Sequence, residues 1–171
     1  MGEEPWPATT PPRPLSSEED SLWLIATDAF TRGLGYVLYV PTTSGPAHYA
    51  WAHKTIEETR QVEAEAAAVA WAVRDVRRLT GRRPRRLLVA VDADSVRVAI
   101  NKGYARSAAL RQSLVDLFDA CPDVLAIRVP GRQNAADLPS RGRPPTEDLV
   151  LATWEILRNY WRLRGEEKDV A

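Results

Sequence analysis

Four acidic residues stand at positions where the local pattern argues against plain solvent exposure: Asp28, Glu65, Asp92 and Asp137. Asp28 alternates with Leu22, Leu24 and Ala26 in "SLWLIATDAF", the inward face of a strand by the two-residue period. Asp92 follows the apolar run Leu87–Val91 directly, and Asp137 sits in the glycine- and proline-bounded stretch "PGRQNAADLPSRGRPP". Carboxylates gathered without Cys or His partners repel one another unless a hard cation neutralises them, and oxygen-only sites of this kind suit Mg²⁺ or Mn²⁺. Two such ions, about 3.5–4 Å apart, can activate a water and stabilise the leaving oxygen in phosphodiester cleavage.

Helical periodicity selects Glu65 over Glu63. Stepping roughly 100° per residue from Glu65, Val62, Val69, Val73 and Val76 fall within about 80° of it, while Glu63 lies about 160° away. Glu65 therefore belongs on or beside the buried stripe, and Glu63 faces solvent. Asp92 and Asp94 would share a face if the strand ran on. Asp92 ends the apolar run, whereas Asp94-Ser95 has the character of a helix N-cap region. Asp92 is the candidate ligand and Asp94 the structural residue.

The elements that must carry these residues can be read from period and punctuation. Strands are expected at 21–30, 36–40 and 47–55, separated by the turn signals "TRGLG" and "PTTSGP". This is a three-strand antiparallel meander. An alanine-rich helix over 61–79 follows, then a strand at 87–91 buried on both faces. Residues 95–119 are helical in character with a break at Gly103, 124–129 is a fifth strand, and the stretch up to residue 145 is a loop. Thr146 caps a last helix whose stripe is Val150, Trp154, Leu157 and Trp161. The fold class is α/β, a mixed five-stranded sheet of three antiparallel strands plus two parallel ones, flanked by helices. The expected domain spans 21–164. It is preceded by a mobile arm over 1–20, with five prolines in its first fourteen residues, and followed by a flexible tail at 165–171.

The chain has 171 residues, room for one domain with a substantial core. Lys+Arg and Asp+Glu balance at 23 each, but residues 1–20 hold five acids against Arg13, leaving 22 bases against 18 acids for the body. That excess permits polyanion binding without demanding it. The single Cys121 excludes an internal disulfide and a cysteine zinc site, and no signal-peptide or membrane-span pattern is present. A soluble, intracellular, monomeric domain with no membrane partner is expected.

The order of the four acids, on a first strand, a first helix, the end of a fourth strand and just before a last helix, resembles type 1 ribonuclease H. Local strings sharpen the likeness toward the ribonuclease H domains of retroelements. "ATDAFTRGLGYVLY" resembles their "TDAS-x-x-G-x-G-x-x-L" hairpin, and "EAAAVAWAV" resembles the "ELLAVVWAL" helix that carries the family glutamate. "VDADSVRVAINKGYARS" resembles "TDNxxAvxyinkxG". "VPGRQNAADLPSRG" resembles the "VPGxxNxADxxSRG" of LTR-type and tyrosine-recombinase-type elements. The likeness covers roughly residues 21 to 145. Phe30 departs from it where a small residue is usual, as does Ala93, where asparagine commonly follows the third ligand.

The resemblance implies hydrolysis of the RNA strand of RNA/DNA hybrids by two Mg²⁺ or Mn²⁺ ions, with Asp28, Glu65, Asp92 and Asp137 as ligands. It also implies a reverse transcriptase as neighbour in a larger polyprotein. Asn101, Lys102 and Arg106, which follow Asp92 on the next helix, and Arg132 and Asn134 in the last loop are the expected substrate contacts. The six arginines of "RRLTGRRPRR" feed the far end of the Asp92 strand, so a solvated turn or a partner contact is favoured there over substrate binding. His48 and His53 read as ordinary strand residues, and Trp51, Trp71 and Trp154 as core. A weakly active or inactive nucleic-acid-binding or assembly module of the same fold is the alternative. Proofreading exonucleases would place an acid at Phe30, and integrase-like enzymes would place their glutamate last.

Overall fold

Each change of period in the sequence becomes a change of element in the computed structural model, which describes residues 22–39 and 49–170, with side chains through Trp161. The order is β1 (Leu22–Phe30), β2 (Gly33–Tyr39), β3 (Tyr49–Thr55), α1 (Gln61–Thr80), β4 (Arg86–Val91), α2 (Asp94–Lys102), α3 (Ala108–Ala120), β5 (Asp123–Arg128), α4 (Asp137–Ser140) and α5 (Glu147–Val170). The arm expected over 1–20, the second turn signal and His48 lie outside the described residues.

The five strands form one sheet in the order β3-β2-β1-β4-β5. β1 pairs antiparallel with β2 and parallel with β4, β2 pairs antiparallel with β3, and β4 pairs parallel with β5. The expected mixed sheet is the observed one. β4 is apolar from Leu87 to Val91 because both of its faces are covered there. Leu87, Val89 and Val91 join Val69, Val73, Val96 and Leu117 under α1, α2 and α3, while Leu88 and Ala90 meet Val150, Trp154 and Leu157 of α5. Trp154 packs its ring 5.5 Å from that of Tyr39 and is core, while Trp161, further along the same stripe, is half-buried. Cys121 is buried too, and burial pushes its thiol up to about 11. No helix among the described residues is long and apolar enough to cross a membrane.

Several boundaries differ from the sequence expectation. β2 begins at Gly33, so the turn is only Thr31-Arg32 and two glycines lie inside the strand. The reason is tertiary: a Cβ on either Gly33 or Gly35 would overlap the backbone of Ser140 in α4. We expect Gly35→Ala to push α4 off the sheet and cost about 1–3 kcal/mol, the usual penalty of overpacking, measurable by denaturant titration. Residues 130–145, expected as loop, contain a 3₁₀ turn at Gly131–Gln133 and the short α4. Helix α5 runs to Val170, through the tail expected from residue 165.

The α2 cap also differs. Its N-cap is Ala93, which offers no side-chain bond, and Asp94 lies in the first turn, accepting from Arg97 Nε at 2.7 Å. Asp94 thus favours the helix through its charge near the N-terminus rather than through a cap. Val62 is exposed, and Glu63 is half-buried with Thr59 Oγ1 donating to it at 3.1 Å. Gly103 breaks the helical stretch as expected, with φ at +73° and its N–H closing the end of α2. Thr146 Oγ1 accepts from Leu149 N, the expected cap. The basic turn is tied into the scaffold: Arg83 donates to the carbonyls of Asp119 and Ala120 at the end of α3. Arg86 pairs with Asp123 and stacks over Trp161.

Candidate functional site

Parallel pairing of β1 with β4 sets the site. The register ends with Ala26 matched to Ala90, which leaves Asp28, two residues further along β1, close to Asp92, one residue past the end of β4. Both lie toward the C-terminal ends of neighbouring parallel strands, where α/β sheets bind ligands. Glu65 enters from the first half of α1 and is 1% exposed; Asp28 is 4% exposed. One carboxylate oxygen from each of Asp28, Glu65 and Asp92 lies within 4.8 Å of the other two. Asp137, the first residue of α4, is half-buried beside this group and outside that three-residue cluster; its charge acts on Asp28.

Burial makes the cluster costly as a set of bare anions. It pushes the carboxyls of both Asp28 and Glu65 well above the ordinary range, and their mutual proximity adds to the effect on Glu65. Asp28 Oδ1 and Glu65 Oε2 are buried without any hydrogen-bond partner. Such orphaned acceptors are rare in folded proteins. Acceptor oxygens from three different elements, two of them orphaned and with no His or Cys among them, fit a hard divalent cation. The site is compatible with divalent-metal binding.

The surrounding residues hold these oxygens in place. Gln61 Nε2 donates to Glu65 Oε1 at 2.9 Å and also to the carbonyl of Ala29, tying α1 to β1 beside Asp28. Gly131 N donates to Asp92 Oδ1 at 2.8 Å, and Arg128 Nε donates to the Asp92 carbonyl at 3.1 Å. Asp92 therefore has one oxygen committed to the 3₁₀ turn.

The expected substrate contacts divide. Lys102, Arg106 and Arg132 are exposed. Asn101 spends its amide on β5, donating to Ala126 O at 2.9 Å and accepting from Ala126 N at 2.8 Å. Asn134 is fully buried, which corrects its reading as a substrate contact: Nδ2 donates to Thr27 O and Oδ1 accepts from Ala136 N. Its two bonds join the residue before Asp28 to the residue before Asp137. Gln61, Gly131 and Arg141 were missed by the sequence reading. Gln61 had a usable signal, lying one helical turn before the chosen glutamate. The exposed Arg141 places its guanidinium 5.4 Å from the centre of the Phe30 ring. Phe30 thus has a partner at the position where it departs from the family pattern.

No family model matches the sequence, and no curated protein matches it either. Solved structures do match. RNase H1 from the halophilic archaeon Halobacterium salinarum is 18% identical with a TM-score of 0.59, over 71% of this chain and 96% of that one. LC11-RNase H1, solved in complex with an RNA/DNA hybrid, is 19% identical with a TM-score of 0.58, over 71% of this chain and 95% of that one. The N-terminal RNase H domain of rv2228c from Mycobacterium tuberculosis gives 18% and 0.58, over 71% of this chain and 98% of that one. At these identities the likeness is one of fold. With the strand order, the parallel β1–β4 pair and the helices on both faces, it shows that the chain has the fold of the type 1 ribonucleases H.

Proposed function

We propose that this protein hydrolyses the RNA strand of RNA/DNA hybrids, as the ribonuclease H domain of a retroelement polyprotein in which a reverse transcriptase is its neighbour. The observation that carries the reading is the meeting of Asp28, Glu65 and Asp92, with two buried oxygens lacking partners, in a fold shared with an RNase H1 solved on an RNA/DNA hybrid. Asp28, Glu65 and Asp92 would hold two Mg²⁺ or Mn²⁺ ions, with Asp137 completing the shells. Such ions, when bound, lower the pKa of the attacking water and neutralise charge on the leaving oxygen. The chain's own work is to present acceptor oxygens from three elements at fixed spacing. Gln61 and Gly131 keep those oxygens in place before substrate arrives.

Distinguishing RNA from DNA rests on 2′-hydroxyl contacts across a shallow minor groove. Lys102, Arg106, Arg132 and Arg141 are exposed cations suited to phosphate contacts. Arg141→Ala is expected to weaken hybrid binding and lower the slope of log affinity against log salt by about one, since each phosphate neutralised releases counterion. Fluorescence anisotropy across a salt series measures it.

The direct test is incubation with an end-labelled RNA/DNA hybrid in Mg²⁺ and in Mn²⁺, beside Asp92→Asn. Cleavage confined to the RNA strand and lost in the variant supports the proposal. Folded protein that leaves the hybrid intact in both metals overturns it, and hybrid bound but uncut identifies the binding-module alternative.

A further inference from the structure

We propose that His53, on the edge strand β3, is a positioning residue that clamps α4 against the sheet and so fixes Asp137 relative to the other three carboxylates. The inference rests on the reading of Asp137 as part of the metal site. Helix α4 has four residues and no side-chain cap, far too short to hold itself together, so its position is set by what grips it. His53 Nδ1 lies 2.9 Å from the carbonyl oxygen of Pro139, two residues beyond Asp137. A carbonyl can only accept, so Nδ1 carries the proton. Nε2 lies 3.2 Å from Thr55 Oγ1, within hydrogen-bond reach. Both ring nitrogens have a partner, and this fixes the ring's orientation.

The ring lies in a slot that the backbone keeps clear. Gly142, at φ +79°, runs along one side of the imidazole, and Gly33 lies against its Cε1. Pro139 O also accepts from Gly142 N at 2.9 Å, so His53 grips the same carbonyl that closes the turn after α4. Ser140 Oγ donates to Asp137 O at 2.6 Å, passing the constraint back to the aspartate. Asp137 stands outside the cluster formed by Asp28, Glu65 and Asp92, though its charge acts on Asp28. The position of α4 therefore sets where its carboxylate stands relative to theirs.

The test pairs His53→Phe, which keeps a ring in the slot and removes the donor, with His53→Asn, whose Nδ2 can replace Nδ1. Asp137→Asn is the comparator. Two readouts are independent of turnover: hydrogen exchange at the Arg141 and Gly142 amides, which donate to Leu138 O and Pro139 O, and Mn²⁺ affinity by electron paramagnetic resonance. For His53→Phe we expect exchange at both amides to accelerate about tenfold and Mn²⁺ affinity to fall about tenfold, the scale of a lost outer-shell partner. His53→Asn is expected to recover most of both losses. Wild-type exchange and Mn²⁺ affinity in His53→Phe overturn the proposal. So does a folded His53→Asn that behaves no better than His53→Phe. Should the wild type leave hybrids uncut, the proposed activity falls, while exchange and Mn²⁺ binding still decide the clamp.

Discussion

Asp92→Asn is expected to lower RNA-strand cleavage by roughly a hundredfold to a thousandfold or more, the range seen when one preorganised charge-stabilising group is removed. Asp94→Asn, two residues away and equally conservative, is expected to leave the rate within about twofold. The contrast follows from geometry. Asp92 lies at the end of β4 with one oxygen held by Gly131 N, and it joins Asp28 and Glu65 in the acidic cluster. Asp94 is turned outward, bonded to Arg97, which holds its carboxyl below the ordinary range. Cleavage of a labelled hybrid by the two variants, with folding verified by circular dichroism, decides the matter. Equal losses in both would mean that the ligand has been misassigned.

Glu65→Gln is expected to make the metal-free protein more stable at pH 8, by roughly 1–3 kcal/mol, while abolishing cleavage. Burial raises the carboxyls of Glu65 and Asp28 in the folded state above their values in the unfolded chain. Above the ordinary carboxylate range near about 4, the folded state therefore binds more protons than the unfolded one. Stability must then fall as pH rises through that window. The contribution is complete below the unfolded pKa and is lost as pH climbs through the raised folded values. A glutamine ends the titration at 65. Its carbonyl can still accept from Gln61, and its amide can donate toward the orphaned Asp28 Oδ1.

Divalent metal should stabilise the two proteins unequally. Wild type gains about 2.7 kcal/mol at a hundred times its Kd for the metal, by mass action, and the variant gains much less. Thermal melts across pH 5–9, with and without Mg²⁺, measure both effects. A wild type whose metal-free stability is flat over that range would sink the argument, as would a variant no more stable at pH 8.

The sequence by itself determined most of the elements and picked out the three carboxylates that meet, because those signals are local. A two-residue period placed Asp28 on the strand face of Leu24 and Ala26, in a strand whose two faces both proved buried, and a helical period separated Glu65 from Glu63. The apolar run Leu87–Val91 delivered Asp92 to its end, and Gly103 broke the helical stretch. Tertiary structure decided what depends on pairing and close approach between distant segments. The parallel pairing of β1 with β4 is what brings Asp28 and Asp92 together at one end of the sheet. The glycines that read as a turn are strand residues because α4 needs the space above them. Asn134 looked like a polar loop residue free to meet substrate, yet burial turned it into the bond between the backbones preceding Asp28 and Asp137. His53 carries no signal in its own strand, since its partner, the Pro139 carbonyl, lies 86 residues away. Local period fixes which way a side chain points within its element; only the packing of elements fixes what it meets there.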